Sequence, residues 1–91
     1  MTVADTARPK LARGVRLKFD ETRDSWVLLA PERVLVLDAI AHSVVVLCDG
    51  ERDVEEICEL LHSDFEAPRK VIAHDVKGLL DDLIAKGYVA A

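Results

Sequence analysis

The groups in this sequence able to do chemistry are three histidines, two cysteines and a scatter of acids and hydroxyls. A metal centre needs imidazoles or thiolates at spacings that bring them to one ion, as HExxH or HxxxH does on a helix. His42, His62 and His74 are scattered and form no such pair. His62, Ser63 and Asp64 have the residue types of a hydrolytic triad. Chain neighbours seldom aim at one reacting atom, however, and no GxSxG turn supplies an oxyanion hole. Cys48 and Cys58 fit neither a CxxC redox pair nor a zinc knuckle, so both are predicted to be buried, reduced core residues. The four glycines are isolated, leaving no loop to cradle a phosphate. Asp81 and Asp82 are expected as a hydrated surface pair, with no pocket to push one carboxyl's pKa away from the other's. The expectation is a non-enzyme with no catalytic residue, metal ligand or cofactor.

Composition points the same way. Ninety-one residues make one domain, large enough for two thin layers but too small for a deep enclosed site. The chain is 51% hydrophobic and 32% charged, which places it among globular sequences. Seventeen acids outnumber twelve bases, for a net charge of −5. That balance disfavours nucleic acid, where Lys and Arg must displace counterions, and anionic membrane surfaces equally. Residues 1–13 hold no apolar run long enough for a signal peptide or membrane span, so a cytoplasmic location is expected. They show no sustained period and read as a flexible tail, with the folded domain over residues 14–91.

The domain opens with alternation. Val15, Leu17 and Phe19 interleave with Arg16, Lys18 and Asp20, the period-2 pattern of a half-buried strand. A polar hairpin loop leads to a second run at residues 26–30. Pro31-Glu32 then makes a turn into Arg33, Val34, Leu35, Val36 and Leu37. Two tandem hairpins give a three-stranded antiparallel meander. Three helices follow. The first starts at Asp38 and ends at Asp49-Gly50, with Leu37, Ala41, Val44, Leu47 and Cys48 on one face; its Val44-Val45-Val46 run favours a strand on propensity alone. The second is capped by Asp53, carries Val54, Ile57, Cys58 and Leu61 as its stripe, and closes at Phe65. Pro68 is placed at the first position of the third, whose stripe is Val71, Ile72, Val76, Leu79, Leu80, Leu83 and Ile84, with Gly87 as its stop. Its other face, including Lys77, Asp81, Asp82 and Lys86, is expected to be solvated. Strands followed by helices make an α+β fold.

The third strand of the meander lies at a sheet edge. Edges of natural proteins are normally blunted by Lys, Pro or inward charges, and Val34-Leu35-Val36-Leu37 has none. One reading packs both faces internally, against the helices and the N-terminal residues. The other leaves the edge free for an extended peptide to join as a further strand. Each ladder bond contributes only ~0.5–1.5 kcal/mol net. A micromolar complex, at about −8 kcal/mol, therefore needs apolar contacts too. The last helix is the natural second wall of such a groove.

The stretch WVLLAPERVLVLD, residues 26–38, resembles the signature block of the PqqD family of pyrroloquinoline quinone biosynthesis. Gly14-Val15-Arg16-Leu17, Arg23, Asp49-Gly50, Asp75-Val76 and Lys86-Gly87-Tyr88 agree with it, so the likeness runs over residues 11–89. The resemblance implies a winged-helix-like RiPP recognition element: a peptide chaperone that binds the ribosomally made precursor PqqA and presents it to the radical S-adenosylmethionine enzyme PqqE. It also implies a leader peptide added beside the third strand and against the third helix. On this chain the groove would comprise Arg33, Val34, Leu35, Val36 and Leu37 with Ile72, Asp75, Val76 and Leu79. Cys48 and Cys58 belong to no motif of that family.

Two other readings compete. A winged-helix DNA binder would use Arg69, Lys70 and Lys77, but Glu66, Asp75, Asp81 and Asp82 are interleaved with them. A homodimerisation module would pair the open edge with its own copy, so the chain is expected to be a monomer or a weak homodimer.

Overall fold

A computed structural model describes residues 2–91. Strand β1 (Lys10–Leu11) is followed by β2 (Arg16–Asp20), β3 (Ser25–Ala30) and β4 (Arg33–Leu37). Helices α1 (Ala39–Val45), α2 (Val54–Asp64) and α3 (Arg69–Ala85) come next, and β5 (Val89–Ala90) closes the chain. β2, β3 and β4 form the expected antiparallel meander in that spatial order. The α+β architecture of a three-stranded sheet and three helices is as the sequence predicts.

Each turn of the meander has a local cause. Asp20 accepts the backbone N–H groups of Thr22 and Arg23 and holds the Arg23 guanidinium at 2.6 Å, which fixes the first hairpin loop. In the second hairpin Pro31 sets its own φ, and Glu32 takes the left-handed conformation at φ = 66°. The register Leu17–Leu28–Leu35 puts one face of the sheet on the helices. Leu28 and Leu37 there join Val44, Ile57, Leu80 and Leu83 in the core. The opposite row, Lys18–Val27–Val36, belongs to the outer face.

Helix caps follow the chemistry of their sequences. Asp38 accepts the N–H of Ala41 and Asp53 that of Glu56, each satisfying a donor the helix start leaves over. α1 is shorter than the predicted span. It ends at Val45, and turns through Val46, Leu47 and Cys48 replace its last helical residues. The β-branched run costs the helix χ1 freedom, while Val44 and Val45 are buried and held by packing. Pro68 sits one place before α3, as its cap rather than its first residue, with ψ at 143°. Gly87 ends the helix at φ = 84°, a conformation that costs a glycine little.

The largest correction concerns residues 2–13, which are docked, not a flexible tail. β1 pairs antiparallel with β5, Lys10 opposite Ala90 and Leu11 opposite Val89. Ala7 and Asp5 offer their carbonyls to the N–H groups of Val54 and Glu55, and Pro9 offers its own to Gly50. Asp5 pairs with Lys77, and the Val3 N–H donates to Asp81 at 2.7 Å. Lys77 and Asp81 are therefore covered by the chain's own start and are not part of a bare solvated face. Lys86 and Asp82, on the part of that face left in solvent, make an i,i+4 ion pair at 3.0 Å.

Candidate peptide-binding groove and strand edge

β4 has β3 on one side, and no strand among the described residues pairs with its other side. The two-residue turn joins Ala30 to Arg33 in register, and such a turn closes on a pair that exchanges main-chain hydrogen bonds. Alternation then gives the bonded pairs Ala30–Arg33, Leu28–Leu35 and Trp26–Leu37. The N–H and C=O groups of Val34 and Val36 are left pointing outward, away from β3. Their side chains, on the outer face, are 48% and 51% exposed. Leu35 is half-buried and Leu37 buried, both on the helix-facing side.

Where β4 runs into α1, an apolar groove of about 350 Å³ opens between α1, the end of α2 and α3. Ile72, Asp75, Val76 and Leu79, expected as one wall, all line it. Asp38, Ile40, Ala41 and Val44 form the facing wall, and Leu61, Phe65, Ala67 and Val71 close the far end. Ile72 and Val76 are buried at its floor, whereas Ile40 stands 63% exposed at its lip, with Phe65 and Val71 also exposed. The lining's two charged groups, Asp38 and Asp75, are both carboxylates.

The expected site residues thus divide into three groups. Ile72, Asp75, Val76 and Leu79 are brought together in the groove. Val34, Leu35, Val36 and Leu37 form the adjoining edge strand, with Leu37 drawn into the core. Arg33 lies outside the groove lining: its guanidinium sits 4.7 Å above the Tyr88 ring and ties the hairpin to the C-terminal ribbon. Ile40, Phe65 and Val71 were not anticipated as site residues. Ile40 is an apolar side chain set off the core face of α1, Phe65 caps the end of α2, and Val71, expected in the buried stripe of α3, is instead 47% exposed.

The residues weighed for chemistry stay apart. Ser63 donates to the Glu59 carbonyl, and His62, Ser63 and Asp64 are all exposed. No group of three or more metal-ligating side chains occurs among the described residues. Cys48 and Cys58 are buried free thiols. Burial pushes the Cys48 thiol up to about 12, with the Asp49 carboxylate adding to the shift. Burial also raises Cys58, against the opposing pull of Arg69. Such thiols are poor nucleophiles at neutral pH. His42 is half-buried and stacks on the Trp26 indole, with centroids 4.6 Å apart, and Phe19 meets that indole edge-on at 5.4 Å. No helix among the described residues is long and apolar enough to cross a membrane.

Residues 25–89 match the family of Coenzyme PQQ synthesis protein D (PqqD). The "PqqA binding protein" of Rhodopseudomonas palustris strain TIE-1 is 51% identical over 89 residues, covering 98% of this chain and 87% of that protein. The solution NMR structure of the PqqD truncation of Methylobacterium extorquens PqqCD, a stand-alone RiPP recognition element, superposes with a TM-score of 0.77 at 41% identity. That match covers 91% of this chain and 88% of the other. Lasso peptide synthetase B1, solved with its leader peptide, has a TM-score of 0.80 at 18% identity, covering 93% and 100% of the two chains. At that identity the likeness shows a shared fold. With a family match over most of its length and a relative at half identity, this chain belongs to the PqqD family.

Proposed function

We propose that this protein binds the precursor peptide PqqA as an added strand on β4 and presents it to PqqE, without itself catalysing a reaction. The observation that carries this reading is the unpaired edge of Val34 and Val36 running directly into the apolar groove beside α3. A guest strand there satisfies the outward main-chain groups. Alternate guest side chains turn inward, toward the groove, and bury apolar surface at roughly 25 cal/mol per Å². The naming of a half-identical relative as a PqqA binding protein supports the choice of guest.

Titration of ¹⁵N-labelled protein with PqqA tests this. Amide shifts are expected at residues 34–37 and along the groove side of α3. Shifts confined to residues 2–9, or no shifts at all, would defeat the reading.

A further inference from the structure

We infer that the outer face of the sheet docks the enzyme that receives the peptide, and that the bound peptide itself completes this docking surface. The inference rests on the strand-addition reading above. Two rows cross the outer face: Arg16–Leu29–Val34 and Lys18–Val27–Val36. Each runs from a cation on β2 to an exposed valine on β4. A shallow depression of about 420 Å³ lies on the β2–β3 side, lined by Lys18, Val27, Leu29 and the hairpin residues Asp20, Glu21 and Thr22. Asp20 is occupied by Arg23, whereas neither Arg16 nor Lys18 enters an ion pair among the described residues.

On a chain of net charge −5, the two unpaired cations stand beside half-buried Leu29 and the exposed valines of β4, with Val27 buried in the second row. They fit an apolar partner surface rimmed with carboxylates. A second copy fits poorly, because its outer face brings the same two cations, Arg16 and Lys18, against these.

Strand geometry supplies the dependence on the peptide. Successive side chains of a guest strand point to opposite faces, so half of them stand beside Val34 and Val36 rather than in the groove. A fourth strand widens the outer face by about one third at the usual spacing between strands. Free protein presents a narrow patch bounded by an unsatisfied edge. Loaded protein presents a continuous four-stranded face that includes residues of the peptide. A partner docked there reads chain and peptide together, so peptide binding and enzyme binding reinforce each other, as linkage requires.

The test compares R16E/K18E and, on the outer face of β3, L29T with the parent protein in two titrations, one with PqqA and one with PqqE. Both variants are expected to keep PqqA affinity within about twofold, because the groove and the β4 main chain are untouched. Affinity of the PqqA-loaded variants for PqqE should fall at least about tenfold, and parent binding should weaken with salt. Parent protein should bind PqqE more tightly when loaded than when free. Unchanged PqqE affinity in both variants overturns the inference, as does equal affinity of loaded and free parent. Sedimentation showing a parent dimer that R16E/K18E dissolves, with PqqE binding intact, makes a second copy the occupant and also overturns it. Failure of the parent to bind PqqA is read in the first titration and defeats the underlying function instead.

Discussion

The two flanks of α3 are treated in opposite ways. On one, Lys77 and Asp81 receive the chain's own start, Asp5 on the lysine and the Val3 N–H on the aspartate. On the other, Ile72, Val76 and Leu79 line an open groove, and exposed Ile40 and Val71 stand at its margin. The chain has fourteen described residues before β2 able to cover an apolar surface, and it lays the first of them over the polar flank. If the groove is the peptide site proposed above, stability and recognition fall on different sides of one helix. The covered side holds main-chain and ionic contacts between distant segments, and the open side retains apolar area that folding has not used.

The largest effect expected from breaking this division is on the covered flank. Deleting residues 2–9 removes the carbonyls that meet Gly50, Val54 and Glu55, the Asp5–Lys77 pair and buried Pro9. Urea denaturation should show a loss of about 3–5 kcal/mol, with PqqA affinity of the folded fraction unchanged. A parallel loss of affinity would mean the flanks are coupled. Next in size is Val36→Pro. The Val36 N–H lies outside the β3–β4 ladder, so circular dichroism should be preserved while PqqA affinity, measured by calorimetry, falls at least about tenfold. Leu35→Pro, which deletes an internal ladder donor, should unfold the sheet instead, and Asp82→Ala should change neither.

On the open flank, Ile40→Asp and Val71→Asp should weaken PqqA binding about three- to tenfold. Both side chains are exposed, so their melting temperatures should move by no more than about 2 °C. Leu80→Ala, fully buried beneath the same helix, should cost about 2–5 kcal/mol of stability. The smallest effect is alkaline. The folded state holds the Cys48 thiol protonated up to about 12, above its ordinary value of 9.0. Its contribution is complete below the unfolded pKa and is lost as pH rises from there through the folded value. Between about pH 8 and about pH 10 the parent should lose ~1 kcal/mol more than Cys48→Ala in denaturant titrations.

Sequence alone reveals the open flank better than the covered one. The strand alternation, the Asp53 cap and the α3 stripe are side-chain patterns, and each element stands where its pattern puts it. The wall of Ile72, Val76 and Leu79 could be chosen because a helix face is periodic and because residues 26–38 resemble a known block. The docked N-terminal segment leaves no comparable trace. It is held largely by the carbonyls of Asp5, Ala7 and Pro9, which every residue type possesses, and β1 and β5 are two residues each, too short to show a period. Ile40 and Phe65 went unseen as site residues because pattern reading seeks what packs inward, and the spacing counts Val71 with the inward stripe although it is exposed. Arg33 lies in the resembling block, yet its partner is an aromatic ring 55 residues further along, a pairing only the fold can make.

The stacking of Trp26 on His42 has a practical consequence. This is the molecule's sole tryptophan, and it lies across the ladder from Leu37, where β4 hands over to α1. Nearly all of the protein's intrinsic ultraviolet emission therefore comes from one spot beside the junction of β4 and α1. An incoming chain that displaces the imidazole changes the colour or brightness of that light, so unlabelled protein can report its own occupancy in a cuvette.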